Sequence, residues 1–214
     1  MSSKAILFDL DGTLTDSSEG ITRCVNLALN HFGVRVNSLE ELRVFIGPPL
    51  RDTFVDFGIA PSDVEEAISI FRSRYNTVGK YENTPYPGIP NLLKQLQQEG
   101  FRLFVATSKP EMTAIEILDK FELSQYFEEI CGATMDFSRE TKDAVIAYLL
   151  NKIGTVDNAV MVGDTAFDVH GAAAHGIPTI GVSWGFDSIE SIQNAGAVSI
   201  AHTPDELLKL IREV

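Results

Sequence analysis

The chain of 214 residues carries 17 Lys and Arg against 30 Asp and Glu, a formal net charge of −13, and 44% of its residues are hydrophobic. This apolar fraction suffices for a packed core, whereas the acidic balance argues against binding to duplex nucleic acid or to an anionic membrane surface. The apolar runs are too short to span a bilayer and the amino terminus lacks a signal-peptide core, so we expect a cytoplasmic protein. Because Cys24 and Cys131 lie far apart without metal-binding spacing, we expect buried, reduced thiols.

The first predicted element is a buried strand that runs directly into two acidic residues. Ala5–Phe8 form an apolar run, and Asp9 and Asp11 follow at its carboxyl end, where open α/β sheets bind ligands. Residues two apart on a strand point the same way, although the turn at Gly12 can re-aim the second. Two carboxylates ~4 Å apart repel by roughly 4 kcal/mol at an effective dielectric near 20, and a divalent metal relieves that repulsion.

Residues 16–86 predict a separate α-helical unit, because helical patterns follow one another there without a convincing strand. Asp16 to Glu19 match a capping box, and apolar residues then recur on one helical face from Ile21 to Phe32. A similar start signal at Ser62 to Glu65 precedes a second amphipathic pattern, and residues 85–88 predict a stiff return segment. We therefore expect a small helical bundle inserted after the first strand.

From residue 87 onward, short apolar runs alternate with helical patterns. The runs predict strands at residues 103–106, 159–162 and 179–182, a weaker strand at 129–131 and an edge strand at 197–200. The final helix should begin at Pro204 with Thr203 as its N-cap. This alternation predicts an α/β fold with a doubly wound parallel sheet, formed by residues 1–15 and 87–214.

Residues 9–16, Asp-Leu-Asp-Gly-Thr-Leu-Thr-Asp, resemble the first motif of the haloacid dehalogenase superfamily, Asp-x-Asp-Gly-Thr, and the later motifs of that family follow in order along nearly the whole chain. The resemblance implies a Rossmann-like core with an inserted α-helical cap, the lid of the active site. It also implies that Asp9 attacks phosphorus and that Asp11 serves as general acid and base. In isolation, Asp-Gly after a strand would be ordinary turn chemistry.

Thr107-Ser108-Lys109-Pro110 follow a predicted strand and resemble the second motif, in which a hydroxyl holds a phosphoryl oxygen. Thr107 is the first candidate for phosphate binding, with Ser108 beside it; capping of the next helix is the alternative interpretation. The Lys109–Pro110 bond is a candidate cis peptide. The third motif of the family is a lysine that neutralises the nucleophile and the phosphoryl group. Lys142, at the start of a helix, is preferred for this role, and Lys109 is its competitor.

Gly163-Asp164-Thr165-Ala166-Phe167-Asp168 resemble the fourth motif, whose acids bind magnesium together with the nucleophile. The spacing of four can bring Asp164 and Asp168 to one side of a forming helical turn. The implied metal ligands are Asp9, Asp11, Asp164 and Asp168, and an all-oxygen set suits Mg²⁺. The alternative is an N-capping Asp164 with an exposed Asp168.

In the helical unit, the break from Phe45 to Arg51, which includes Gly47, resembles the substrate-specificity loop of capped family members. Arg51 is a candidate partner for an anionic leaving group, and a surface arginine near Asp52 is the alternative. The tract of small residues at 171–176 predicts a helix packed closely on the sheet. No motif matches the histidines, so we assign no catalytic role to His31, His170, His175 or His202.

The resemblance at these motifs implies a Mg²⁺-dependent phosphomonoester hydrolase that acts through an aspartyl-phosphate. The resemblance implies a small phosphorylated metabolite as substrate, phosphoglycolate-like or nucleoside-monophosphate-like, and says nothing of protein partners. A dehalogenase is disfavoured because halide displacement needs neither Asp11 nor a metal. A β-phosphoglucomutase-like phosphotransferase and a non-catalytic phospho-acceptor or regulatory protein remain as alternatives.

Overall fold

The structure is a computed structural model that describes residues 4–136, 138–154, 156 and 158–214. Within those residues, the strands and helices in chain order are β1 (Ala5–Phe8), β2 (Thr15–Asp16), α1 (Ser18–His31), α2 (Leu50–Asp56), α3 (Val64–Tyr75), β3 (Thr84–Pro85), α4 (Ile89–Gln98), β4 (Arg102–Pro110), α5 (Glu111–Lys120), β5 (Glu129–Ala133), α6 (Lys142–Ile153), β6 (Ala159–Gly163), α7 (Ala166–Ala173), β7 (Thr179–Val182), α8 (Ile189–Asn194), β8 (Ser199–Ala201) and α9 (Pro204–Glu213). Short 3₁₀ helices span Leu39–Phe45, Gly79–Tyr81 and Ser124–Tyr126. Among these helices, none combines the length and the hydropathy that a membrane crossing requires.

The chain divides into two compact units, an α/β unit formed by Met1–Thr15 with Pro85–Val214 and a helical unit formed by Asp16–Thr84. The second boundary thus lies before Pro85 rather than after Tyr86. The reason is local: the backbone N–H of Tyr86 donates to the carbonyl of Leu14 at 3.1 Å, and its ring packs against the core of the α/β unit.

The sheet of the α/β unit has the strand order β5-β4-β1-β6-β7-β8, with parallel pairing throughout. The chain moves from β1 outward through β4 and β5, then returns to the other side of β1 to add β6, β7 and β8. The strand order therefore reverses beside β1, which is where such sheets form a crevice at the carboxyl ends of their strands. The predicted doubly wound parallel sheet is confirmed.

Strand β1 is buried on both faces, and its residues alternate between two hydrophobic clusters. Ile6 and Phe8 belong to the cluster that contains side chains of α4, α5 and α9, whereas Ala5 and Leu7 belong to the cluster that contains side chains of α6 and α7. Because side chains on a strand alternate with a period of two, residue 9 continues the series of Ala5 and Leu7 toward α6. This alternation sets the face of the sheet toward which the side chain of Asp9 points.

Several element boundaries differ from the sequence-based expectation. Strand β4 continues to Pro110, because residues 107–110 keep pairing with β5 through a shift in register. No cis peptide bond occurs among the described residues, so the Lys109–Pro110 bond is trans. The edge strand β8 starts at Ser199, later than predicted. Thr203 caps α9 as expected, since its side chain accepts a hydrogen bond from the N–H of Glu206.

In the helical unit, the predicted capping boxes are wrong for α1 and α3. Their N-cap residues, Ser17 and Asp63, make no side-chain cap hydrogen bond. Asp16 instead accepts a hydrogen bond from the N–H of Ser18 at 2.9 Å. Both helices bury one apolar face as predicted, which packing alone can stabilise without a strong cap.

A charge network ties α1, α3 and the end of the helical unit together. Arg74 makes two hydrogen bonds to Glu82, at 2.6 and 2.8 Å, and Arg23 adds a third at 2.8 Å. The chain approaches closely here, because a Cβ at Gly20 would lie 2.0 Å from the carbonyl oxygen of Gly79. The hydrogen bonds from Arg74, ahead of those from Arg23, lower the pKa of Glu82 to about 2.

We expect Glu82→Gln to destabilise the protein by about 1–3 kcal/mol at neutral pH, because it removes charge-assisted hydrogen bonds. The folded pKa of Glu82 lies below the unfolded value of 4.5, so the stabilisation is complete above pH 4.5 and lost as the pH falls toward 2. Urea unfolding of wild type and variant across this range measures the difference.

The matched control is Glu40→Gln, since Glu40 forms an exposed pair with Arg43 and should contribute less than about 1 kcal/mol. A stability difference between wild type and Glu82→Gln that stays constant down to pH 2 would contradict the assignment.

Candidate active site

Three carboxylates converge at the carboxyl edge of the sheet. Asp9 follows β1, while Asp164 and Asp168 follow β6, the neighbouring strand. One oxygen atom from each carboxylate lies within 4.8 Å of the others. Asp164 and Asp168 are fully buried and Asp9 is 8% exposed. Parallel pairing of β1 with β6 therefore brings together acids that are about 150 residues apart in the chain.

The ammonium of Lys142, in the first turn of α6, lies between two of these carboxylates. It is 2.8 Å from Oδ1 of Asp9 and 2.7 Å from Oδ1 of Asp168, and it donates to the carbonyl of Ala106 at 3.0 Å. Burial lowers the pKa of Lys142, but the carboxylates of Asp168 and Asp9 outweigh it, so the net pKa lies above the ordinary value. Lys142 is therefore charged, and its ammonium forms ion pairs with two carboxylates and one hydrogen bond to a backbone carbonyl.

The other candidate lysine has a different partner. Lys109 lies 2.5 Å from Oδ2 of Asp11, and both side chains are largely buried. The structure thus places Lys142 at Asp9 and Lys109 at Asp11. Asp11 lies outside the three-carboxylate cluster that the described residues form, although the resemblance named it among the metal ligands. Its Oδ1 atom is buried and has no hydrogen-bond partner among the described residues.

Asp164 is held by two donors from different parts of the chain. The hydroxyl of Thr13 donates to its Oδ1 at 3.0 Å, and the backbone N–H of Phe186 donates to its Oδ2 at 2.9 Å. Burial, then the charges of Asp168 and Asp9, raise the pKa of Asp164 well above its ordinary value. The two donors thus fix the orientation of the Asp164 carboxylate. Both donors are neutral, so they leave its negative charge without an opposite charge.

Two glycines make room for Asp164. A Cβ at Gly12, where φ is +83°, would lie 2.1 Å from Oδ2 of Asp164, and a Cβ at Gly185 would lie 2.2 Å from its Cβ. Trp184, just before the second glycine, donates its indole N–H to the carbonyl of Thr13 at 3.1 Å. The loop after β7 therefore supports both the turn after β1 and Asp164.

Sequence reasoning missed this loop, Trp184-Gly185-Phe186. One signal could have found it: the loop follows the predicted strand at residues 179–182, so it had to emerge at the same edge of the parallel sheet as Asp9 and Asp164.

The two carboxylate oxygens of Asp168 contact different groups. Its Oδ2 accepts from the N–H of Thr165 at 3.0 Å and from the hydroxyl of Thr165 at 2.8 Å, which completes a capping box at the start of α7. Its Oδ1 faces Lys142. The alternative with an N-capping Asp164 and an exposed Asp168 is wrong, since Thr165 is the N-cap. A Cβ at Gly163 would lie 2.3 Å from Cγ of Asp168, so this strand end also needs a glycine.

Thr107 lies at the same edge and is 2% exposed. Its hydroxyl oxygen accepts from the backbone N–H of Lys109 at 3.2 Å, while Ser108 beside it is partly buried. Neither residue caps α5, whose N-cap is Pro110. The hydroxyl proton of Thr107 can therefore point away from the backbone toward a bound group.

The two candidates in the helical unit have their own contacts. Arg51 is exposed and pairs with Glu65 of α3, rather than with Asp52. Gly47 has φ of +105°, in the left-handed region that favours glycine, and breaks the chain between the 3₁₀ helix and α2. Contact of Arg51 with a leaving group remains a prediction.

The residues of this cluster fit a hard divalent cation. Asp9, Asp164 and Asp168 bring three negative charges against the single positive charge of Lys142, and burial together with the neighbouring acids raises the pKa of both Asp164 and Asp168. A divalent cation offsets the remaining charge, and carboxylate oxygens are the ligands that Mg²⁺ prefers.

Known proteins resemble this chain over most of its length. The model of the haloacid dehalogenase-like hydrolase family matches residues 6–182. The chain belongs to this family. This haloacid dehalogenase-like hydrolase is 42% identical over 190 residues to a 5′-nucleotidase of Pseudomonas aeruginosa, which covers 88% of this chain and 86% of the relative. It is 43% identical over 209 residues to tyrosine-protein kinase PtkA of Mycobacterium tuberculosis, covering 96% of this chain and 72% of the relative. The crystal structure of a predicted phosphatase from Clostridium acetobutylicum superimposes with a TM-score of 0.94 at 42% identity, over 100% of both chains.

We expect Asp164→Asn to stabilise the protein by about 1–2 kcal/mol at neutral pH in the presence of a chelator, because it removes one of three mutually repelling charges. The amide can still accept from the N–H of Phe186 and donate to the hydroxyl of Thr13. Urea unfolding with EDTA measures the change, and Asp205→Asn, an exposed acid in α9, is the control. Destabilisation by Asp164→Asn would contradict this interpretation.

Proposed function

We propose that this haloacid dehalogenase-like hydrolase is a Mg²⁺-dependent phosphomonoester hydrolase that acts through a phosphoryl group carried transiently by Asp9. The observation that supports this most strongly is the position of Lys142, whose ammonium contacts both Asp9 and Asp168 at the point where three buried carboxylates meet. Such a site concentrates positive and negative charges where a dianionic phosphate must be bound.

Asp9, Asp164 and Asp168 would hold Mg²⁺. When bound, this ion supplies the positive charge that offsets the carboxylates and the phosphoryl oxygens. The protein prepares the ligands in advance: Thr13 and Phe186 orient Asp164, and Thr165 orients Asp168.

One carboxylate oxygen of Asp9, the proposed nucleophile, is fixed by a backbone N–H and by a lysine ammonium. Its Oδ1 accepts from the N–H of Leu10 at 2.7 Å and lies 2.8 Å from Lys142. In the first displacement, a carboxylate oxygen of Asp9 bonds to phosphorus as the bond from phosphorus to the ester oxygen breaks. In the second, water attacks phosphorus and releases the carboxylate of Asp9.

Asp11 moves the proton in both steps. Its Oδ2 is held by Lys109, and its buried Oδ1 has no hydrogen-bond partner within the described part of the chain, so we assign the transferred proton to Oδ1. Asp11 donates this proton to the departing ester oxygen and then accepts one from the attacking water. Thr107, with its hydroxyl proton available, binds a phosphoryl oxygen, and Ser108 lies next to it.

We infer a small phosphorylated metabolite as substrate. The similarity to a relative named 5′-nucleotidase puts nucleoside monophosphates first, and phosphoglycolate follows. Arg51, exposed on the helical unit, is the candidate partner for an anionic part of the leaving group.

A second candidate function is phosphoryl transfer to an acceptor hydroxyl. The similarity to a relative named tyrosine-protein kinase favours it, at 43% identity over 209 residues. Both functions use the same first displacement and differ in whether water or a hydroxyl attacks Asp9-bound phosphate. Incubation of a phosphate donor with tyrosine-containing peptide distinguishes them, because transfer yields phosphopeptide and hydrolysis yields inorganic phosphate.

We expect Asp9→Asn to reduce phosphate release by at least about 1000-fold without loss of the fold, because the amide is not a nucleophile. Phosphate release from a panel of phosphomonoesters and circular dichroism measure the two effects. Asp205→Asn should keep wild-type activity. Full activity of Asp9→Asn would refute the assignment.

We expect EDTA to abolish phosphate release and added Mg²⁺ to restore it. Hydrolysis of a chiral thiophosphate ester should retain configuration at phosphorus, because two successive inversions cancel. Inversion would show that water attacks the substrate directly, and chelator-resistant turnover would exclude the metal requirement.

A further inference from the structure

The stem of Lys142 passes directly over a glycine of the neighbouring helix. A Cβ built on Gly171 of α7 would lie 2.6 Å from Cγ of Lys142 and 2.7 Å from its Cβ. The same Cβ would lie 3.1 Å from the backbone nitrogen of Asp143. Helices α6 and α7 thus approach each other so closely at this point that no other side chain fits without displacing the lysine.

A second contact joins the same two segments. His175, in the turn after α7, places Nε2 2.6 Å from Oδ1 of Asp143 and 3.2 Å from its backbone carbonyl. Asp143 directly follows Lys142 in the first turn of α6. His175 therefore holds the backbone of that turn, while Gly171 leaves the space that its lysine occupies.

The start of α6 and its lateral position have different causes. Thr141 caps α6 by accepting from the N–H of Ala144, which sets where the helix begins. That cap is local and does not set how α6 lies against α7. The contacts of Gly171 and His175 with Lys142 and Asp143 are what link this turn to the chain that follows β6, which also carries Asp168.

We propose that Gly171 and His175 are positioning residues for Lys142, which fix the contact between α6 and α7 and thereby hold the lysine ammonium between Asp9 and Asp168. A lysine stem is flexible, and its ordering is costly unless the backbone and the stem are held. The ammonium must reach acceptors at 2.7, 2.8 and 3.0 Å together, so a small shift of α6 breaks at least one contact. The catalytic consequence rests on the proposed function, whereas the position of Lys142 does not.

The first test compares His175→Ala with His175→Gln. The alanine loses the bond to Asp143, and kcat should fall up to about five-fold, the range of a partly exposed pair, with little change in KM. Glutamine can place an amide N–H near the position of Nε2 and should recover most of the loss. His202→Ala removes a different exposed histidine, bonded to Ser183, and should leave kcat unchanged.

The second test is Gly171→Ala, which should lower kcat on the order of 100-fold by displacing the lysine. Alanine has the higher helix propensity by about 1 kcal/mol, so a purely helical role of Gly171 predicts a more stable protein with unchanged kcat. That result would overturn the proposal.

A readout without metal or turnover separates positioning from the proposed function. Reductive methylation followed by mass spectrometry should modify Lys142 slowly in metal-free wild type and several-fold faster in His175→Ala and Gly171→Ala. Lys109 is also buried and paired, with Asp11, and its modification rate should stay constant, which excludes general unfolding. Unchanged Lys142 labelling in both variants refutes positioning even if Asp9→Asn abolishes turnover. Faster Lys142 labelling in the absence of wild-type turnover supports positioning and counts against the proposed function.

Discussion

The site depends on one buried ammonium among three buried acids. Lys142 is enclosed by the carboxylates of Asp9 and Asp168 and by a backbone carbonyl, and it remains charged because those acceptors outweigh the cost of its burial. Without this cation, the three largely buried acids at the sheet edge would repel one another with little screening by solvent. With it, the cluster still carries net negative charge, which a divalent cation would offset.

Parallel pairing of neighbouring strands in one sheet brings the residues of this cluster together. Strand β1 lies at the point where the strand order reverses, and the chain after β1, β6 and β7 emerges on the same edge. Because the backbone segments approach closely, glycine is required at several positions around the acids: Gly12, Gly163 and Gly185 each leave space that an acid occupies, and Gly171 leaves space for Lys142. The acidic side chains and the glycines around them form one packing arrangement.

The two relatives compared above, a 5′-nucleotidase and a tyrosine-protein kinase, carry the names of different activities. A nucleotidase and a protein kinase differ in the molecule that receives the phosphoryl group, whereas the step proposed for Asp9 comes before that difference. In the proposed mechanism, Asp11 would pass its proton to a leaving oxygen or take one from a hydroxyl that reaches Asp9. Selection of water or of another acceptor would then depend on groups outside the carboxylate cluster.

Much of the fold could be predicted from local sequence. The sequence predicted β1 and β7 at their observed bounds, because every residue of these strands is buried and neither strand contains a charged residue. Helix starts were harder to predict: Ser17 and Asp63 have the residue types of N-caps but make no side-chain cap hydrogen bond. Cap signals are short, so tertiary contacts override them easily.

For the site, the sequence by itself supplied the candidate residues, through four motifs that follow in order along the chain, since Asp-Gly after a strand is ordinary turn chemistry in isolation. Only the tertiary structure decided the pairing: Lys142 with Asp9, Lys109 with Asp11, Phe186 with Asp164 and His175 with Asp143. Each pair joins residues at least 22 positions apart in the chain, and such separations close only when strand order and helix packing are set. Periodicity reports which face of an element is buried, but it does not report which neighbour covers that face.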